Sequence, residues 1–188
     1  MRFLQPRAAL VPAVMGFALL AACSDPFGLP PPRSENAVDT VALFALDGTP
    51  LSSPSAYHLE TLSVVRTDRS PVFDFAFNVD SLGRPVLLPT GPLRLGEGSG
   101  IRLMTTPFDS IKVAPGGGYE RSKAVVVDAG TVAVVHSRPT PCSFGTTVFL
   151  YAKLQVLTID AAARRIVFQI LTNANCGYRG LEPGFPVR

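Results

Sequence analysis

Residues 147–173 read TVFLYAKLQVLTIDAAARRIVFQILTN and show a sustained alternation of apolar and polar positions. The alternating apolar residues are Val148, Leu150, Ala152, Leu154 and Val156 in the first half, and Ile166, Phe168 and Ile170 in the second. Because successive side chains of a β-strand point to opposite faces, a period of two predicts strands that each bury one face. Residues 160–164 separate the two halves and predict a turn. We therefore expect a hairpin with strands over 147–159 and 165–173.

A second alternating run covers residues 72–80. One face of this predicted strand would carry Phe73, Phe75, Phe77 and Val79, and the other Asp74, Ala76, Asn78 and Asp80. Residues 81–83, Ser-Leu-Gly, predict a turn, and residues 84–88 predict the returning strand.

Two valine-rich runs, 123–127 and 131–136, lie on either side of Asp128-Ala129-Gly130. A glycine can adopt the positive φ that a three-residue hairpin loop needs, so this pattern predicts another hairpin. Weaker strand signals and two expected loops complete the pattern: strands at 41–46, 59–66, 101–105 and 110–114, and loops at 89–100 and 114–122.

The strand count defines the expected fold class. About eight to ten short strands with frequent turn signals are typical of an all-β antiparallel sandwich or barrel. We expect one such domain over residues 37–188. The 188-residue chain is 47% hydrophobic and 16% charged, which argues against disorder, and its glycines lack the period of three of collagen. A single long apolar stretch near the N-terminus excludes a polytopic membrane protein.

The first 23 residues are laid out like an export signal. Arg2 and Arg7 are followed by an apolar run over 8–20 and then by Leu20-Ala21-Ala22-Cys23. A positive segment, a short apolar segment and small residues form the order that signal peptidases process. We expect residues 1–22 to be removed.

Leu20-Ala21-Ala22-Cys23 resembles the lipobox of bacterial lipoproteins. The resemblance implies that the chain is cut before Cys23, that its thiol receives a diacylglyceryl group, and that its new amine is often acylated. Several acyl chains anchor a protein stably where one does not. In that family Ser24 after the cysteine points to the outer membrane. Residues 37–188 resemble no named family, although the chain has the general character of Gram-negative envelope lipoproteins.

Residues 23–36 predict a lipidated, proline-rich linker. Proline-rich chain extends by ~3.1 Å per residue, so this linker could hold the domain about 40 Å from the bilayer. Loss of two of the 17 basic residues with the signal peptide leaves 15 against 14 acidic residues, a net charge of +1. This balance gives no support for nucleic-acid binding.

Cys142 and Cys176 are the two cysteines that remain after Cys23. An even pair in an exported chain predicts a disulfide, and this one would close the open end of the 147–173 hairpin. The alternative, a redox or metal site, lacks a Cys-x-x-Cys motif and a nearby histidine.

Motifs for catalysis or metal binding are sparse. Residues 96–100, Gly-Glu-Gly-Ser-Gly, match neither a phosphate loop nor a nucleophile elbow and predict a plain loop. His58 and His136 have no zinc-ligand spacing, and we expect no metal and no cofactor. Asp74, Asn78 and Asp80 would share a strand face, which suggests a solvated face or, less favoured, a weak cation or sugar site.

The candidate recognition surface lies in the C-terminal loop over residues 175–184. This loop is rich in glycine, would be rigidified by the disulfide, and carries Tyr178 and Arg179, two residue types that are enriched in binding hot spots. The structural alternative is a capped chain terminus.

Three functions are compatible with these features. The favoured one is a lipid-anchored envelope domain with a non-catalytic binding or structural role, whose partner is an envelope protein. The second is a lipocalin-like carrier of a small apolar ligand, with Phe73, Phe75 and Phe77 lining its cavity; it requires a closed barrel with an unfilled interior. The third is a hydrolase whose site is assembled from distant residues. The oligomeric state is left open.

Overall fold

The computed structural model describes residues 29–142 and 145–186. The predicted signal peptide, Cys23 and the first part of the linker lie outside the described residues. The strands are β1 (Val38–Phe44), β2 (Ala56–His58), β3 (Ser63–Val65), β4 (Phe75–Val79), β5 (Pro85–Pro89), β6 (Gly100–Met104), β7 (Val125–Val126), β8 (Val132–His136), β9 (Thr140–Pro141), β10 (Thr147–Val148), β11 (Tyr151–Asp160) and β12 (Arg165–Asn173).

Ten of these strands form two five-stranded antiparallel sheets. Sheet A has the order β1-β12-β11-β8-β6, and sheet B has the order β3-β2-β4-β5-β7. Strands β9 and β10 form a separate two-stranded ribbon. The predicted all-β antiparallel class is confirmed, and the arrangement is sandwich-like rather than a closed barrel. In the part of the chain that the structure describes, no helix is long and apolar enough to span a lipid bilayer.

The predicted hairpin over 147–173 is confirmed as β11 and β12, the two longest strands. They pair from Tyr151 opposite Asn173 to Asp160 opposite Arg165, and the pairing shifts by one residue between Val156 and Thr158. The bulge lies on one strand only, so the alternation on either side still buries one face. The predicted first strand is shorter at its start, because residues 147–148 belong to β10.

The main core fills the space between the two sheets. Its central side chains come from both sheets and are fully buried: Phe75, Phe77, Leu87, Ala133, Val135, Leu154, Ile166, Phe168 and Ile170. Burying an aliphatic or aromatic side chain stabilises a fold by about 1.5–3 kcal/mol. This cluster therefore holds the two sheets together.

The β4–β5 hairpin is confirmed, with Val79 opposite Pro85. Strand β4 begins at Phe75 instead of residue 72, and Phe73 packs with Ala56 and Ala76 in a separate cluster. The prediction that Phe73 shares a face with the other phenylalanines is therefore wrong. The alternation in the sequence extends beyond the residues that pair with a neighbouring strand.

The predicted hairpin of residues 123–136 is wrong. Strand β7 pairs with β5 in sheet B, whereas β8 pairs with β6 and β11 in sheet A. The turn itself forms, with Gly130 at a φ of 86°. The segment connects the two sheets, so Val125 and Val127 enter the main core from one side and Val135 enters it from the other. Two strands joined by a short turn have the same sequence pattern whether they pair with each other or enter different sheets, so the pattern cannot distinguish the two arrangements.

Two weaker strand predictions also differ from the structure. Residues 59–66 contain only the short strand β3 after a turn at Leu62, whose φ is 49°. Residues 110–114 form no strand: a 3-10 helix, η1, spans Phe108–Ser110, and a single bridge joins Val113 to Gly180. Residues 110–114 pack Ile111 and Ala114 against the face of a sheet instead of pairing along a strand.

The segment 105–122 covers the outer face of sheet A. Phe108, Ile111 and Ala114 pack there against Val134 and Leu171 in an outer cluster. Lys153 of β11 is buried beneath this segment and donates from Nζ to the carbonyl oxygens of Phe108 and Ile111, both at 3.0 Å. Burial lowers the pKa of this ammonium group. The buried Lys153 ammonium group thus links the segment 105–122 to sheet A through two hydrogen bonds.

Candidate functional site

Strand register brings four residues into one row at an end of sheet A. Tyr151 lies opposite Asn173 on one side and opposite His136 on the other, and His136 lies opposite Gly100. Side chains that face each other across an antiparallel pair lie on the same face of the sheet. Tyr151 and His136 therefore both lie on the outer face, beside the outer cluster.

His136 is buried, with 1% of its surface exposed. Its Nδ1 donates to the backbone carbonyl oxygen of Ser137 at 2.8 Å, since a carbonyl can only accept. The hydrogen is thereby assigned to Nδ1, and Nε2 keeps a lone pair that has no hydrogen-bond partner. Burial lowers the pKa of His136, and the ring is neutral at pH 7.

Aromatic rings enclose this histidine. The ring of Tyr119 meets it edge-on at a centroid distance of 4.6 Å, and Phe149 lies at the same distance on another side. The hydroxyl of Tyr119 donates to the carbonyl oxygen of Pro115 at 2.9 Å, and burial raises the pKa of this phenol. The tyrosine is therefore a fixed, neutral wall.

A cavity of about 310 Å³ opens beside these rings, and we call it the aromatic pocket. Its lining consists of the glycine-rich loop, four rings and one cation: Gly116, Gly117, Gly118, Tyr119, Arg121, His136, Phe149 and Tyr151. Cavities from about 300 Å³ upward are typical of small-ligand sites. Gly118 has a φ of 79°, and this conformation favours glycine in the loop.

Three arginines rim the aromatic pocket. The guanidinium of Arg121 lies 5.6 Å from the centroid of Phe149, and that of Arg179 lies 5.9 Å from the centroid of Tyr151. Arg179 also donates to the carbonyl oxygen of Ala114, and Arg102 donates to that of Gly117.

None of these three guanidinium groups forms an ion pair with a carboxylate among the described residues. The nearest acidic residue in sequence, Glu120, accepts hydrogen bonds from the backbone N–H groups of the three residues that follow it. These bonds all reach Oε1 of Glu120 and lower the pKa of its carboxyl group, which is therefore ionised at pH 7. The three guanidinium groups are therefore positively charged and not ion-paired, and the ionised Glu120 is held by backbone N–H groups beside Arg121.

The C-terminal loop differs from the expected surface. Tyr178 is buried, and its hydroxyl donates to the carbonyl oxygen of Pro30 at 3.0 Å, so it does not present its ring to solvent. Arg179 is exposed, as expected, but it belongs to the rim of the aromatic pocket. The difference arises because the N-terminal segment packs over Tyr178.

The N-terminal segment, residues 29–36, is part of the linker predicted over residues 23–36. The backbone N–H groups of Arg33 and Ser34 donate to Oδ1 of Asn175, and Asn175 returns a bond from Nδ2 to the carbonyl oxygen of Ser34. Asn36 pairs with Gly184 through two backbone hydrogen bonds of 2.9 Å. Residues 29–36 are thus bound to the domain rather than extended away from it.

The predicted disulfide is present. It joins Cys142, after β9, to Cys176, after β12, with their Cα atoms 5.9 Å apart. The bond connects the ribbon to the loop that carries Asn175 and Tyr178. It therefore also lies next to the bound N-terminal segment.

The predicted acidic face does not form a site. Asp74 is buried and accepts hydrogen bonds from the backbone N–H groups of Leu59 and Arg138, at 2.7 and 2.8 Å. Asn78 bonds to Asp47, and Asp80 bonds to Arg84. The prediction of a solvated face is wrong for Asp74, because the strand begins after it. Within residues 29–142 and 145–186, no cluster of three or more His, Cys, Asp or Glu residues is placed to hold a metal ion.

Two other singled-out features have local roles. Nδ1 of His58 lies 3.0 Å from the hydroxyl of Thr61. Ser99, in the glycine-rich segment 96–100, is buried and accepts a hydrogen bond from the backbone N–H of Thr90. Ser99 therefore closes the loop over 90–99 and is not an exposed nucleophile.

Most of the aromatic pocket escapes sequence reasoning. Tyr119 and Arg121 come from one segment, and Phe149 and Tyr151 from another 28 residues further on. Only the glycine loop at 116–118 gives a local signal, which predicts a loop without a ligand role. The sequence shows no metal-ligand spacing at His136 and no sign that its Nε2 lacks a hydrogen-bond partner. Cross-strand register places His136 beside Tyr151, and the segment 105–122 brings Tyr119 and Arg121 to them.

No protein-family model matches this sequence, and no curated protein matches it either. The class of protein is therefore defined by its own fold and site. It is a two-sheet antiparallel β-sandwich with a disulfide and an arginine-rimmed aromatic pocket at one end of sheet A.

Proposed function

We propose that this chain is a lipid-anchored domain of the bacterial cell envelope with a non-catalytic binding role. In this proposal Cys23 carries the acyl anchor, the outer membrane is its location, and the aromatic pocket is the binding site. The observation that carries the binding role is the rim of three guanidinium groups without carboxylate partners around a cavity walled by rings. The anchor is supported by the lipobox at residues 20–23.

The character of the pocket favours binding over catalysis. The unpartnered Nε2 of His136 has no hydroxyl or carboxylate within hydrogen-bond distance among the described residues. An activated nucleophile or a general base needs such a partner or a substrate proton within reach. Rings and guanidinium groups instead provide stacking surfaces and fixed positive charge.

The anchor is tested by expressing the full chain in a Gram-negative host that is fed labelled palmitate. We expect the wild-type chain to be labelled and to partition into detergent, and Cys23→Ala to lose both properties. The double variant Cys142→Ser/Cys176→Ser is the matched control and should keep the label. An unlabelled wild-type chain would refute the anchor.

The carrier alternative lacks the feature it requires. The strands form two separate sheets, and the phenylalanines Phe75 and Phe77 fill the main core between them. A lipocalin-like site needs a closed barrel with room inside. We therefore do not propose it, and the aromatic pocket lies outside the sandwich interior.

A further inference from the structure

We infer that the arginine rim of the aromatic pocket docks on the anionic headgroups of the membrane that holds the anchor. The inference deepens the proposed function and depends on it for the anchor at Cys23. It commits to one occupant, the phosphate groups of a bilayer surface. Two independent observations carry it: three guanidinium groups that form no ion pair with a carboxylate among the described residues, and the place where the N-terminal segment joins the domain.

The number of residues between the domain and the anchor limits how far the domain can lie from the bilayer. Because residues 29–36 are bound to the domain, only six residue steps separate Leu29 from Cys23. At ~3.1 Å per residue their reach is about 20 Å, half of what a free linker would give. The anchor therefore keeps the end of the domain that binds Pro30 near the bilayer.

The charged rim lies at this same end. Tyr178, which binds Pro30, is followed directly by Arg179. Arg179 lies over Tyr151, the first residue of β11, and Tyr151 is in the same row as Asn173 and His136. A short contact path thus leads from the attachment point to the pocket. Attraction between the arginines and anionic headgroups is screened beyond about 8 Å at physiological salt, so the rim must be close to the bilayer to bind it.

The chemistry of the rim fits a headgroup layer. Arg121 and Arg179 are exposed, and guanidinium groups bind phosphate oxygens in pairs of hydrogen bonds. Val113, which is bridged to Gly180 beside Arg179, is 60% exposed and offers an apolar contact at the same place. Aromatic and arginine side chains are favoured where a protein meets the membrane interface.

The test uses the mature chain, residues 23–188, carrying Cys23→Ser so that no acyl anchor contributes. The chain is sedimented with vesicles of phosphatidylcholine alone and with vesicles that also contain phosphatidylglycerol. We expect binding to the anionic vesicles only, and weaker binding as salt is raised. Arg121→Gln and Arg179→Gln should each weaken vesicle binding about fivefold.

The matched control is Arg69→Gln, an exposed arginine near β3 of sheet B, which should bind like the wild type. Arg179→Lys keeps the charge and should retain most of the binding, which separates charge from misfolding. Equal losses for Arg69→Gln and Arg179→Gln, or no preference for anionic vesicles, would overturn the inference.

A second experiment measures hydrogen exchange at the backbone amides of the pocket. If glycerol phosphate slows this exchange and anionic vesicles do not, the rim binds a soluble anion and the inference is overturned. Palmitate labelling of the full chain tests the anchor, and vesicle sedimentation of the unlipidated chain tests headgroup binding. The two proposals can therefore fail independently.

Discussion

At the scale of single residues, Gly100 makes room for the buried histidine. A Cβ atom at this position would lie 2.6 Å from Nε2 of His136 and 2.8 Å from Cβ of Tyr119. Neither neighbour can withdraw freely, because the histidine is bonded to Ser137 and the tyrosine to Pro115. The absence of a side chain at Gly100 is therefore a condition for the wall of the pocket.

Gly100→Ala is expected to lower the free energy of unfolding by about 1–3 kcal/mol, the usual cost of overpacking. Urea denaturation measures this loss. Gly117→Ala is the matched control, since a Cβ there meets no atom within 4 Å, and its effect should stay within about 0.5 kcal/mol. Equal stabilities of the two variants would contradict this role of Gly100.

His136 should make the fold sensitive to mild acid. Its pKa is lowered in the folded state, so below pH 6.5 the unfolded chain binds a proton that the folded chain does not. The stabilising contribution is complete above pH 6.5 and is lost as the pH falls toward the folded pKa. Compared with His136→Asn, the wild type should lose at most about 1.4 kcal/mol of unfolding free energy per pH unit in this window.

The measurement is urea denaturation of both proteins at a series of pH values. The difference between the two curves isolates His136 from the carboxylates, which titrate in both. Two curves that run parallel from pH 7 to pH 5 would show that the histidine is not kept neutral by burial.

At the scale of elements, the segment 105–122 depends on one side chain of the sheet it covers. Lys153 projects from β11 and binds two carbonyl oxygens, those of Phe108 in η1 and of Ile111 just after it. The same ammonium group lies 4.6 Å from the centroid of Phe108. The covering segment in turn carries the glycine loop of the aromatic pocket, so its attachment supports the site.

Lys153→Met should free this segment. The two carbonyl groups would lose their donor, which we expect to cost about 1–3 kcal/mol of unfolding free energy. Hydrogen exchange should also become faster at the backbone amide of Ala114. Lys123→Met, at an exposed position, is the control and should change neither quantity. Unchanged exchange in Lys153→Met would mean that apolar packing alone holds the segment.

At the scale of the whole molecule, the disulfide connects three parts of the chain. Cys142 follows the β9 strand, Cys176 follows β12, and the loop around Cys176 binds residues 30–34 through Asn175 and Tyr178. The bond spans 34 residues. It stabilises both the open end of the β11–β12 hairpin and the place where the N-terminal segment is held.

Cys142→Ser/Cys176→Ser is expected to lower the free energy of unfolding by about 4 kcal/mol, the chain-entropy value for a loop of this length. Urea denaturation with and without reductant measures it, and reductant should destabilise the wild type and leave the double variant unchanged. Cleavage within residues 29–36 under limited proteolysis should also become faster. Cys23→Ser serves as the control and should unfold like the wild type; a double variant as stable as the wild type would contradict the prediction.

The all-β class and the β11–β12 and β4–β5 hairpins follow from the amino-acid sequence, because alternation is a property of residues close in sequence. The sequence also predicts the pairing of Cys142 with Cys176, on the expectation that Cys23 is lipidated. The tertiary structure alone decided that β7 and β8 belong to different sheets, that Tyr178 is buried, and that the linker is bound up to Leu29. It also decided the site, because Gly100, Tyr119, His136 and Tyr151 meet only through strand register and a crossing segment. Contacts between distant segments depend on which sheet faces pack together. The alternation of apolar and polar residues within one strand does not specify its partner.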